Sequence, residues 1–313
     1  MALDTGADSE ADTPGPRLLA RIREASTLDE LATSLNADSH DEAYFRAKRL
    51  WSRRTVPTAG MRDGLPGARV TVDGVDVVVH GITHANTETE QAVVRGHTTA
   101  AENDGASVYC EQGIRSMYLE DFDSVCAMDD YRWAMDRCAH HDLDAPVADV
   151  PRSEFQGLLD SLGSVSDELR EATFSLIESG SAIYGEQFST ALGDVASDFL
   201  TSEADLATGE DFEAFRRTRR AAADPANLDA LQDYYRRVLL PQPLEREWLR
   251  RHDRELELLT HARNERMTDY VLHEADGPRA EVFVGAAHQP GLVYYLEQYR
   301  DGHRAVGDFE YLG

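Results

Sequence analysis

Two histidines stand at matching corners of this chain. The stretch Ala280-Glu-Val-Phe-Val-Gly-Ala-Ala-His288 is a short apolar run, then a glycine, then a histidine three positions on. Far upstream, Val75-Asp-Val-Val-Val-His-Gly-Ile-Thr-His84 repeats the figure. Each run reads as a strand and the residues after it as a helix, so each histidine falls at the carboxyl end of a strand. Glu111 follows the next predicted strand, Ala106 to Cys110. In an open α/β sheet, sites form where parallel strands end, so His84, Glu111 and His288 are expected to converge. Neutral imidazoles with a carboxylate are a donor set for a catalytic divalent metal (manganese, cobalt or zinc), which keeps a position open for water. The same groups also suit acid–base work without a metal, and spacing leaves both open.

Arg263 joins them by a different argument. Trp248, His252, Leu256, Leu259, Arg263, Met267 and Tyr270 fall on one stripe of a long helix expected from Pro241 and Pro243 to about His273. An arginine amid apolar neighbours must pair with an anion or line a polar cavity, because burying it alone is costly. Glu111 is its first candidate partner, and in catalysis Arg263 would neutralise a developing oxyanion or hold a substrate carboxylate.

The elements that position these residues can be read in order. Residues 1–16 form an acidic tail without the pattern of a signal peptide. Residues 17–55 carry three amphipathic helices, an N-terminal helical collar, and a Pro/Gly-rich link from Val56 to Gly67 follows. Residues 69–125 are the first βαβ half. Asp73-Gly74 marks a hairpin, and Thr87 with Glu90 makes a capping box at the start of a helix on which His97 is a core-packing histidine. Residues 152–240 are a large helical insertion, with Leu228, Leu231, Tyr235 and Val238 on one face, that would roof the site. Residues 241–313 hold the long helix and the second βαβ half, closed by a last strand within Ala305 to Leu312. The expected fold class is α/β: an internally duplicated βαβ core with a mainly parallel sheet, in a single domain from 17 to 313.

Composition narrows the partners. Asp plus Glu number 58 against 31 for Lys plus Arg, a net charge of -27, and Lys48 is the single lysine. So dense a carboxylate surface suits a soluble, cytoplasmic protein adapted to high salt, where screening removes self-repulsion. It would repel nucleic acid and anionic membranes, and no apolar run approaches the roughly 20 residues of a spanning helix. With 42% hydrophobic residues the chain is not a disordered acidic tract. Cys110, Cys126 and Cys138 are odd in number and lack C-x-x-C spacing, which fits a reducing interior. The expected partner is a peptide or small-molecule substrate, with self-association left open.

Taken together, Gly81-Ile-Thr-His84, Tyr109-Cys-Glu111-Gln-Gly113, Ala262-Arg263-Asn264-Glu-Arg-Met267 and Gly285-Ala-Ala-His288 resemble the TraB/PrgY/TIKI family, within the wider group of erythromycin-esterase and ChaN-like proteins. The resemblance covers Val75 to about Glu120 and Thr260 to Gly313. It implies an α/β core with an internal repeat and, from some animal members, divalent-metal-dependent peptidase activity; bacterial members are tied to inhibition of peptide pheromones. It further implies that His84 and His288 are metal ligands or catalytic histidines. Glu111 becomes a ligand or general base, and Arg263 with Asn264 polar groups lining the site. Glu111-Gln112-Gly113 departs from the family's usual glutamate–glycine pair, and many archaeal members carry C-terminal membrane helices. Three functions follow as expectations: a metal-dependent hydrolase of the peptidase kind, a metal-independent esterase-like hydrolase, or a non-catalytic protein binding a peptide- or haem-type ligand.

Overall fold

The computed structural model describes residues 15–56, 60–62, 65–83, 87–111, 213–252, 257, 260–261, 263–275 and 277–306. Most of the expected helical insertion, Cys126 and Cys138, His84, and the last strand of the second βαβ half lie outside them. Among the described residues the chain is mixed α/β, with five strands and nine α-helices.

The strands are β1 (Gly60–Arg62), β2 (Leu65–Val72), β3 (Val75–Ile82), β4 (Ser107–Cys110) and β5 (Arg279–Gly285), in sheet order β1-β2-β3-β5-β4. β2 and β3 form the antiparallel hairpin expected at Asp73-Gly74, both with positive φ (49° and 86°), as a two-residue turn of this twist requires. β3, β5 and β4 run parallel. Part of the Val56–Gly67 link is strand: Met61 pairs with Pro66 at the start of β2. There β2 has only β1 beside it, and Pro66, which lacks an N–H, is tolerated at such a margin.

α4 (Glu88–Asn103) connects β3 to β4, giving the expected βαβ unit, but β3 and β4 are not neighbours. β5 lies between them, so the carboxyl end of β5 adjoins both. Parallel register sends Val78, His80 and Ile82 to the same face as Glu281 and Phe283. That face is covered by α4, α5 (Glu213–Ala223) and α6 (Leu228–Val238), through Val94, Ala101, Ala214, Ala221, Leu231 and Tyr235. Residues 213–238 therefore pack on the sheet itself.

The opposite face, with Val77, Val79, Val282 and Val284, packs against Met267, Tyr270 and Val271 of α8 (Arg263–Glu274) and Leu292 and Leu296 of α9 (Gln289–Arg300). α1 (Pro16–Glu24), α2 (Leu28–Leu35) and α3 (His40–Ser52) form a separate cluster with Leu244, Trp248 and Leu249 of α7 (Gln242–His252). Trp248 is fully buried and stacks on Tyr44 at 4.4 Å; burying a large apolar side chain contributes on the order of 1.5–3 kcal/mol. Lys48, the single lysine, ties α3 to α7 and to the end of α6, reaching Glu245 Oε1 and the Val238 carbonyl, each at 2.9 Å. The expected 241–273 stripe thus serves two cores: Trp248 faces the N-terminal helices, Met267 and Tyr270 the sheet. Between α7 and α8, Thr260 and His261 adopt π-helical geometry, a local widening common near functional sites.

Candidate functional site at the ends of the parallel strands

Glu111 extends β4 by one residue, its N–H donating to the Phe283 carbonyl at 2.8 Å. Its side chain turns toward β5, where Oε2 accepts the Gly285 N–H at 2.9 Å across a sequence separation of 174. The chain then reverses through Ala286-Ala287, and His288 becomes the N-cap of α9. The His288 N–H donates to Gly285 O at 2.9 Å, while Ala286 N–H donates to Ile82 O at 2.9 Å and fastens the corner to β3. The glycine of the upstream motif makes this approach possible. A Cβ on Gly81 would lie 2.9 Å from Ala286 Cα, closer than backbone atoms allow.

His288 Nε2 lies 3.4 Å from Glu111 Oε1. On its other side, Nδ1 is 2.5 Å from Asn264 Oδ1, and Asn264 Nδ2 donates to Gln242 Oε1 at 3.1 Å. Since the Asn264 oxygen can only accept, Nδ1 carries the proton and Nε2 is turned toward the carboxylate. Asn264 is fully buried, and α9 comes against it so tightly that a Cβ on Gly291 would stand 2.2 Å from its Nδ2. Glu111 and His288 are buried as well.

Of the five residues singled out by sequence, the structure therefore brings Glu111, His288 and Asn264 together. His84 lies outside the described residues. Just before it, the buried Glu90 carboxylate accepts both the Thr83 N–H and its hydroxyl, each at 2.8 Å. The Thr87 hydroxyl caps α4 by accepting the Glu90 N–H, but the glutamate's oxygens serve the end of β3. Arg263 begins α8, and its side chain, with the expected Glu111 pairing, lies outside the described residues. Glu257 carries no motif that singles it out in the sequence, yet its buried carboxylate pairs with Arg246, which also reaches Glu265 and Tyr295.

Sequence reasoning missed two further features. His261 is fully buried, and desolvation, then interaction with Lys48, His288 and Arg246, push its ring well below its ordinary pKa of 6.5. Deeper in the sheet, His80, His97 and Glu281 meet on the α4 face, and among the described residues they form a group that could hold a metal ion. His97 is in the core as expected, but its Nε2 is 3.4 Å from Glu281 Oε2. Burial alone would raise the Glu281 carboxyl; hydrogen bonds from His80 and His97 and the pairing with Arg279 outweigh it and hold the group well below the usual carboxylate range. The available signal was Glu281 itself, a carboxylate inside an apolar strand that needs a cationic or donor partner.

For the strand-end pair, the donors fit a divalent cation. A separation of 3.4 Å matches the edge between two ligands of a tetrahedral ion with bonds of about 2.1 Å, also about 3.4 Å. A histidine oriented through its other nitrogen is the usual outer arrangement of such sites. No membrane-spanning helix occurs among the described residues. Neither a scan against protein-family models nor a search of curated proteins finds a match for this chain, so the site rests on its own geometry.

Proposed function

We propose that the chain is a metal-dependent hydrolase of amide or ester bonds, peptide-like substrates above all, of the TraB/PrgY/TIKI kind. The observation that carries this is the facing of His288 Nε2 and Glu111 Oε1 at 3.4 Å, at the ends of parallel strands, with Asn264 fixing the imidazole. Glu111 and His288 would hold the ion, and His84 is the third donor the reading calls for. When bound, such a cation supplies Lewis-acid polarisation and a nucleophilic water at neutral pH. Asn264 keeps His288 in the Nδ1–H tautomer, so that Nε2 is presented as a donor. The Gly285 N–H holds one oxygen of Glu111, leaving the other toward the imidazole for ligation or proton transfer. Arg263, at the first turn of α8, is the group assigned to the charge developing on the attacked carbonyl oxygen.

The test is turnover of peptides and simple esters by the full chain in molar potassium chloride, with manganese, cobalt or zinc, before and after chelation. The expected result is hydrolysis that needs added metal and is lost in His288→Ala and Glu111→Gln. Asn264→Ala should lower metal affinity or turnover by about 10–100-fold, the usual cost of losing such an orienting partner. Turnover undiminished by chelator would replace this reading with the metal-free esterase. Tight peptide or haem binding without turnover would replace it with the binding protein.

A further inference from the structure

The trio on the α4 face is separate from the strand-end pair. His80 on β3 and Glu281 on β5 are 201 residues apart in sequence, yet parallel register sends both side chains out of the same face. His97 descends on them from α4, its ring edge-on to His80 with centroids 4.6 Å apart. The three residues are at most 2% exposed, and one ligand atom from each lies within 4.8 Å of the others.

We propose that His80, His97 and Glu281 form a second, structural metal site that takes zinc or cobalt and clamps α4 to β3 and β5. Each donor on the sheet is oriented from behind. His80 Nδ1 donates to the Pro66 carbonyl at 2.9 Å, which turns Nε2 inward. Gly67 permits this, since a Cβ there would lie 2.8 Å from His80 Cε1 and Nδ1. Arg279 grips Glu281 Oε1, leaving Oε2 to the two imidazoles. A backbone carbonyl behind the histidine and a donor behind the carboxylate are the outer contacts that metal centres carry. Two imidazoles and one carboxylate favour borderline cations over magnesium or calcium, which prefer all-oxygen shells.

The distances say what binding requires. His97 Nε2 and Glu281 Oε2, at 3.4 Å, already stand at the tetrahedral edge of about 3.4 Å. His80 Nε2 and Glu281 Oε2 are hydrogen-bonded at 2.5 Å, so an incoming cation must take the place of that hydrogen and part the pair by roughly 1 Å. The competing account is a buried ion-pair cluster in which His80 and Arg279 neutralise Glu281. Only the metal account requires a bound cation that depends on His97.

The experiment uses the full chain carrying Glu111→Gln and His288→Ala, which removes the strand-end donors. The chelated protein in molar potassium chloride is titrated with zinc or cobalt. The expected result is one cation per chain, a higher melting temperature, and visible cobalt bands of a site with nitrogen and oxygen ligands. Adding His97→Gln, or separately His97→Phe, should abolish the cation and the rise in melting temperature while circular dichroism still shows the folded chain. No cation on the doubly substituted chain overturns the proposal without touching the strand-end reading. A cation that persists in both His97 variants also overturns it.

Discussion

The strand-end pair and the mid-sheet trio use the same residue types on one sheet, yet they are built by opposite means. At the strand ends, a turn and a helix N-terminus carry His288 to Glu111, and a neutral amide, Asn264, orients the ring. In mid-sheet, register alone brings His80 over Glu281, and a cation, Arg279, compensates the carboxylate. The lesson is that one arrangement sets an imidazole and a carboxylate 3.4 Å apart with an amide behind the ring, whereas the other has a cation beside its carboxylate. Activity is expected to depend most on the strand-end pair, and stability most on the trio buried within the sheet.

The largest test of that contrast is on activity. His288→Ala or Glu111→Gln should lower turnover by about 10²–10⁴-fold, the range for losing a positioned acid–base or ligand group. Guanidinium unfolding of these variants should show a loss no greater than about 1–3 kcal/mol, the cost of a stranded buried partner. A stability loss with activity per folded molecule intact would reverse the roles of the two regions.

Glu281→Ala should show the inverse weighting. It strands His80 in the interior and leaves Arg279 with Asp104 alone, and breaking a buried pair in this way costs about 3–5 kcal/mol. Denaturant midpoints measured in molar salt check it, and a change under about 1 kcal/mol would show that Glu281 does not hold His80 and Arg279 in the fold.

Gly291→Ala sharpens the strand-end half without altering a donor. The new methyl would meet the Asn264 amide at 2.2 Å, so α9 or Asn264 must move. Overpacking of this kind costs about 1–3 kcal/mol, and the displaced amide should also lower metal affinity. An alanine variant with wild-type metal response would show that Asn264 does not orient His288.

The smallest expected effect is on pH. His261 beside the strand-end site is held neutral in the fold, well below its ordinary 6.5. The unfolded chain therefore takes up the proton first. The contribution is intact above about pH 6.5 and is lost as pH falls below it. His261→Gln should flatten the stability curve between pH 7 and 5, and an unchanged slope would remove His261 as its source.

The sequence by itself determined the local figures. Asp73-Gly74 makes the hairpin, Thr87 caps α4, the apolar runs become β3 and β5, and the glycine–histidine corner puts His288 at a helix start. Each of these follows from a few neighbouring residues, because turn chemistry, capping and strand propensity act over short range. Glu111 was legible too, since a residue just past a parallel strand must lie at the sheet's site-bearing edge.

Only the tertiary structure decided what lies beside what. That β5 separates β3 from β4, that Asn264 falls against His288, and that Gln242 backs Asn264 are matters of strand order and helix approach. The same holds for His80 over Glu281. A histidine in an apolar strand signals nothing until register pairs it with a carboxylate 201 residues away, and register is a property of the assembled sheet rather than of either strand.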